Sequence, residues 1–403
     1  MVLFKPFVLD NWVRQFKHLA QLSLHDTCVD PLSVEELSKL NAVSSGAKES
    51  PIGLSSQLIY GSVLGNPELR ERILSLYRDD LDNDSKSVPL AITQGGISAN
   101  FLVLNTLLGP GDHVICQYPT YQQLYDVPRH AGAEVSLWRS RAENEWIPDV
   151  SKLTSLVKEN TKMIIVNTPN NPTGAVIPRA AMEEIVTFAA QRNIIVFSDE
   201  VFRPLYHDQE TADQQSIMSF AKDYQNIIAT SSLSKAFSLP GIRVGWAISP
   251  SPELLEPVII ARDFTTISVS QVDQSIATYA LGVQDEILRR SKSICERNLN
   301  LLEQFVKSHA TRLQWVKPRG GSAAFVRVVH PKTGAAVDDG VLCEKMIHEK
   351  GLLIVPGGKN FGTESDDDFK GYLRVGFVCN PEKFEKGLGA WGEYLHALDA
   401  EDA

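Results

Sequence analysis

The chain has 403 residues, 43% hydrophobic and 22% charged, with a formal net charge of -10. That length holds one large core and one smaller one, so two structural domains are expected, and the charge argues against a nucleic-acid binder or a protein of anionic membrane surfaces. The five cysteines (Cys28, Cys116, Cys295, Cys343 and Cys379) are odd in number and form no C-x-x-C pair, which points away from a disulfide framework or metal site and toward a reducing compartment.

The start, Met1-Val2-Leu3-Phe4-Lys5-Pro6, lacks the long apolar core of a signal peptide, and no run approaches a membrane span. A cytoplasmic protein is expected. Residues 1–45 read as an arm that completes the small domain. Trp12 and Phe16 stand one turn apart in a short amphipathic helix. Ser33 and Glu36 form a capping-box pattern opening a second helix. Asn66 and Pro67 suit the cap and first position of a third.

Over 46–285 apolar runs alternate with helical periodicity. Strands are predicted at Leu90 to Thr93, His113 to Cys116, Glu134 to Leu137, Met163 to Asn167, Ile194 to Ser198, Asn226 to Ala229 and Val244 to Ile248. Helices are predicted between them, as at Ser98 to Leu107 and Arg179 to Gln191. This pattern indicates an α/β fold, a mostly parallel sheet covered by helices on both faces. Residues 286–403 read as a smaller α+β domain: a long helix from Glu286 to Ser308, short strands, a helix near Val341 to Lys350, and a last helix from Pro381. The acidic runs Asp79 to Asp84 and Glu364 to Asp368 read as solvated loops.

Ligands in such sheets sit at the carboxyl ends of strands, so the polar residues there matter. Thr93-Gln94-Gly95-Gly96-Ile97-Ser98-Ala99-Asn100 joins a strand to a helix. Its glycines let backbone approach a ligand, and free N–H groups at the helix start favour an anion. A tight turn explains the pair about as well, and without G-x-G-x-x-G no dinucleotide is suggested. Tyr121, in Tyr118-Pro119-Thr120-Tyr121, is placed to stack on a planar ligand or to fill the core. The turn Asn167-Thr168-Pro169-Asn170-Asn171-Pro172-Thr173-Gly174 offers side-chain amides. Asp199 ends an apolar strand, where a carboxylate needs a cationic or N–H partner. Lys235 lies among Ser231, Ser232, Ser234 and Ser238 with no carboxylate in its own segment; alone it reads as a solvated loop lysine, whereas an amine kept neutral by desolvation forms Schiff bases. Arg374 stands inside an apolar strand, where it needs an anion, either a ligand carboxylate or a structural partner.

Together, Ser232-x-Ser234-Lys235 with Pro240-Gly241 and Arg243, the Asn171-Pro172-Thr173-Gly174 run and Asp199 resemble the fold-type I pyridoxal-phosphate enzymes, the class I/II aminotransferases. The resemblance spans roughly residues 50–380. It implies that Lys235 carries the cofactor as a Schiff base and later shuttles the proton. Asp199 would pair with the pyridine nitrogen, Asn171 would bond the phenolic oxygen, and Tyr121 would stack on the ring. Gly96, Ile97, Ser232, Ser234 and Arg243 would hold the phosphate. Tyr60 matches a tyrosine that reaches the phosphate of a neighbouring subunit, implying a homodimer. Arg374 would bind the α-carboxylate of an amino-acid substrate.

One position departs from the family pattern: Phe202 stands where a tyrosine usually donates to the phenolic oxygen, and Arg203, read as facing solvent, follows it. The resemblance thus implies an aminotransferase acting on a 2-amino acid. The alternative is elimination, replacement or cyclisation, as in the branch around capreomycidine synthase, which cyclises an arginine derivative. A non-catalytic effector-binding domain is a third class, disfavoured by the acidic chain without a DNA-binding module. Side-chain specificity is expected from the arm near Trp12 and Phe16 and from loops near Cys28 and Arg319 to Ser322.

Overall fold

The computed structural model describes residues 4–40, 50–55, 57–81, 88–212, 215–362 and 368–401. Its centre is a seven-stranded sheet. The strands are β2 (Leu90–Gln94), β3 (His113–Tyr118), β4 (Glu134–Arg139), β5 (Thr161–Asn167), β6 (Ile195–Asp199), β7 (Ile227–Ser232) and β8 (Val244–Ile248), with β1 (Leu22–Ser23) lying elsewhere. Their order is β2-β8-β7-β6-β5-β3-β4. The pairs among β7, β6, β5, β3 and β4 are parallel, and β8 runs antiparallel to both β7 and β2. Every residue of β3, β6, β7 and β8 is buried, which is why they read as unbroken apolar runs rather than alternating ones. Each large aliphatic side chain so buried contributes about 1.5–3 kcal/mol.

The register aligns the strand ends. Asn167 on β5 is opposite Asp199 on β6, and Asp199 is opposite Thr230 on β7. On the far side of β7, Ser232 is opposite Gly245 on β8. The polar residues that end three consecutive apolar strands therefore meet along one edge.

A second sheet, antiparallel, joins β9 (Leu313–Trp315), β10 (Ala323–Val328), β12 (Val355–Pro356) and β13 (Tyr372–Gly376) in the order β12-β13-β10-β9. The N-terminal arm reaches this region: β1 pairs in parallel with β11 (Leu352–Leu353). The helix α1 (Val8–Phe16) buries Trp12 and Phe16, one turn apart, and the Trp12 indole donates to the Ile354 carbonyl at 3.1 Å. The Ser33–Glu36 capping box forms in full, each backbone N–H bonded to the other's side chain. Asn66 caps the helix opened by Pro67.

Two expectations fail, and one contact explains both. Arg203 does not face solvent but donates to Asp80 at 2.6 Å, with its guanidinium over the Tyr77 ring. Its side chain is 18% exposed and that of Asp80 2%. Asp80 also accepts from the Ser216 backbone, so the acidic stretch contains a buried anchor rather than only solvated charge; residues 82–84 lie outside the described ones. Similarly Asp368 is held by Arg139 and by the Tyr118 hydroxyl, while residues 364–367 lie outside.

Candidate active site

A cavity of about 320 Å³ opens at the carboxyl ends of β5, β6 and β7. Gly96, Ile97, Tyr121, Asn171, Asp199, Ser232, Ser234, Lys235, Arg243 and Arg374 all line it. Of the cofactor- and substrate-binding residues that the resemblance implies, Tyr60 alone does not; it is 80% exposed.

One end of the cavity is a cradle. The helix Gly95–Leu107 starts directly from β2, so the N–H groups of its first turn lack intrahelical acceptors. A Cβ on Gly95 would lie 2.5 Å from Arg243 Nη2, and one on Gly245 2.4 Å from the Gly95 carbonyl carbon. Only glycine permits this approach. Arg243, at φ 53° behind the turn Pro240–Ile242, donates to the Pro240 carbonyl at 2.8 Å and lies 3.5 Å from Ser234 Oγ. Hydroxyls, helix-start N–H groups and a guanidinium converge there, a donor set suited to a phosphate.

Deeper in, Asp199 is buried. It accepts from Asn100 Nδ2 at 2.8 Å and from the Val201 N–H at 3.1 Å. Burial raises its pKa, against these two bonds and the charge of Lys235. Asn100 is fixed from behind, its Oδ1 accepting from the Thr230 hydroxyl at 2.6 Å. Asn171 Oδ1 is buried without a partner among the described residues. Phe202, also buried, places its ring centroid 5.9 Å from Lys235 Nζ.

Lys235 does have neighbours, and they come from the arm. Its Nζ donates to Thr27 Oγ1 at 2.8 Å and to Cys28 Sγ at 3.2 Å. Arg374 is 3% exposed. Its Nη2 donates to the His25 carbonyl, and its Nε has no partner among the described residues. Burial lowers its pKa to about 10. Leu9, Asp10, Val13 and the segment His25 to Cys28 form the remaining wall. The arm thus borders the site through these residues, whereas Trp12 and Phe16, expected there, are core. Arg319 is likewise turned away, paired with Asp208 and Glu210.

The family model described as "Aminotransferase class I and II" matches residues 41–390. The chain belongs to this family. Its members use pyridoxal phosphate, and the cavity of this aminotransferase-family protein fits that cofactor. The glycine-lined cradle suits its phosphate, the buried Asp199 has no ion-pair partner among the described residues and so suits a protonated ring nitrogen, and Asn171 borders the cavity with a side-chain amide. When bound, pyridoxal phosphate supplies an aldehyde that captures amines and a ring that withdraws electrons. Capreomycidine synthase of Streptomyces vinaceus is 28% identical over 389 residues, covering 96% of this chain and 93% of its own. Aspartate aminotransferase of Thermotoga maritima is 28% identical, covering 84% of each. Among solved structures, a PLP-dependent aminotransferase from Streptococcus suis superposes with a TM-score of 0.85 at 33% identity, over 98% and 99% of the two chains. The PLP-dependent cyclase OrfR superposes with a TM-score of 0.83 at 25% identity, over 98% of each.

Proposed function

We propose that the protein transfers the amino group of a 2-amino acid to an oxo acid. Lys235 anchors the cofactor through its amine and afterwards moves the proton between the substrate α-carbon and its acceptor. Asp199, oriented by Asn100, keeps the ring nitrogen protonated. Asn171 bonds the phenolic oxygen, and Tyr121 covers the ring. Gly96, Ile97, Ser232, Ser234 and Arg243 hold the phosphate, and Arg374 takes the α-carboxylate in its two-pronged grip. The observation that carries this reading is that the lysine, the buried acid, the amide, the cradle and Arg374 all border one cavity.

A second reading has a specific observation behind it. Phe202 lines this cavity and offers no hydroxyl, and capreomycidine synthase and the cyclase OrfR are among the proteins similar to the chain. Elimination, replacement or cyclisation would use the same Lys235, Asp199 and Arg374. An amino-acid panel separates the two. Loss of the yellow cofactor band that an oxo acid restores supports transamination. Release of ammonia or of a side-chain leaving group, with the band regenerated without oxo acid, supports the second reading.

The working form is a cytoplasmic homodimer with the divisions at residues 45 and 285 as its domain limits. Tyr60 belongs to an exposed apolar stretch with Leu54, Leu58 and Ile59, the kind of surface a partner subunit covers. Equilibrium sedimentation giving a monomer at micromolar concentration contradicts this assignment.

A further inference from the structure

The walls of the cavity differ in charge. The cradle end holds Arg243, the floor holds Asp199 and Lys235, and Arg374 stands on the opposite side. The wall contributed by the N-terminal arm carries two more carboxylates, Asp10 and Asp26. Among the described residues neither is in an ion pair.

Helix periodicity explains the first. Leu9, Asp10 and Val13 border the cavity, while Trp12 and Phe16, on an adjoining strip of α1, are buried, with the Trp12 indole on the Ile354 carbonyl. That anchoring fixes which side of the helix the cavity sees. Asp26 is fixed by its own turn: Oδ1 accepts from the N–H groups of Thr27 and Cys28 at 2.6 and 2.8 Å. The Cys28 thiol also bonds this carboxylate, and the charge of Lys235 acts on it. A helix-start acid and a turn-capping acid each have a local backbone role, but those roles do not require both to border the same cavity. Both also act electrostatically on Arg374, which places them near the group read above as the α-carboxylate clamp.

Arg374 supplies the independent sign of a ligand. It is almost fully buried, and its Nε is unpartnered, so the site is built to receive an anion at that point. Its Nη2 is bonded to the carbonyl of His25, the residue just before Asp26. A molecule whose carboxylate meets Arg374 therefore lies beside Asp26.

The charges decide what the rest of that molecule must be. A dicarboxylic substrate needs a second cation for its side chain. The basic residues bordering the cavity are Lys235, Arg243, Arg374 and His25. The first three are assigned to cofactor and α-carboxylate, and burial holds the His25 imidazole down at about 4, hence neutral near pH 7. Two carboxylates facing a side-chain acid repel it, whereas a cationic side chain relieves both of them.

We propose that this cavity selects amino acids with a cationic side chain, an ammonium or a guanidinium, received by Asp10 and Asp26 while Arg374 holds the α-carboxylate. This rests on the pyridoxal-phosphate reading of the same cavity and adds the substrate class to it. Two carboxylates on separate elements suit a side chain long enough to cross from the α-carbon to the arm.

The test uses the holoenzyme. Its cofactor band is followed with L-arginine, L-ornithine and L-lysine, with L-norleucine as a neutral chain of similar length, and with L-aspartate and L-glutamate. The expected result is a kcat/KM for at least one cationic amino acid about tenfold or more above that for norleucine, with the acidic pair lowest. The guanidinium and ammonium arms identify which cation is preferred. Asp26→Asn and Asp10→Asn should each lower the cationic-to-neutral ratio about tenfold, mainly through KM, as expected for loss of a charge-assisted contact. Asp26→Glu and Asp10→Glu should restore part of it. Raised ionic strength should erode the same ratio, which a merely structural role would not do. A preference for aspartate or glutamate, or an unchanged ratio in both Asn variants, overturns the substrate class alone. If no amino acid alters the band and Lys235→Ala retains it, the pyridoxal-phosphate reading fails and the substrate class falls with it.

Discussion

Asn100 Nδ2 donates to the Asp199 carboxylate at 2.8 Å, and Thr230 holds the Asn100 amide from the next strand. Burial alone drives Asp199 toward its protonated form, in which it could not stabilise a cationic ring nitrogen. The amide and the Val201 N–H oppose that tendency. Asn100→Ala removes a hydrogen bond to a charged group, worth about 1.5–3 kcal/mol. The expected outcome is a ten- to hundredfold fall in kcat with little change in KM, measured by steady-state kinetics. Thr230→Val should produce a smaller fall of the same kind.

The Arg203–Asp80 pair sits behind the site, on the side away from the cavity. Removing the cation leaves Asp80, 2% exposed, without its charge partner. Arg203→Met is therefore expected to destabilise the fold by about 3–5 kcal/mol. Combining it with Asp80→Asn should recover a large part of that loss. Urea unfolding followed by tryptophan fluorescence checks both.

Two imidazoles set an acid limit. Burial holds His25 and His207 at about 4, below the ordinary 6.5. Each binds a proton less readily folded than unfolded, so protons favour the unfolded chain. Their contribution is complete above about pH 6.5 and is lost as the pH falls toward 4. Each accounts for about 1–3 kcal/mol over that window. His207 also donates from Nε2 to the Gly321 carbonyl at 2.7 Å. His207→Gln can keep that bond without titrating. It should flatten the fall of Tm between pH 6.5 and 4 relative to the parent chain.

Phe202 leaves the phenolic oxygen of the bound cofactor with Asn171 as its one assigned side-chain donor. A second donor stabilises the phenolate and eases loss of the neighbouring imine proton. Phe202→Tyr should thus move the pH midpoint of the cofactor's visible band downward. A spectral titration with an unchanged or higher midpoint in the variant contradicts this.

Much of this arrangement was legible in the chain. Strands β3, β6, β7 and β8 stand out because they are buried on both faces and carry no alternation, whereas β4, at the sheet edge, is mostly half-buried or exposed. The polar residues Asn167, Asp199 and Ser232 stood out because each ends such a run. What escaped were contacts without a local signature. Thr27 and Cys28 meet Lys235 across more than 200 positions, and nothing in the arm's composition announces it. Arg203 and Asp80 each look solvated in their own polar segments; only the packing of Tyr77 against the loop after β6 brings them together. Trp12 and Phe16 stand out as aromatic residues, yet it is Leu9, Asp10 and Val13, further round α1, that border the cavity. Asn100 follows the glycine pair after β2, but a polar residue inside a helix pattern carries no label of what it touches.

The most direct measurement is reduction of the purified, cofactor-loaded protein with borohydride, followed by peptide mapping of the pyridoxyl label. The expected result is label on the peptide containing Lys235, and none after Lys235→Ala. Label on a different lysine of the parent protein, or an undiminished yield in the Lys235→Ala variant, would contradict the central assignment.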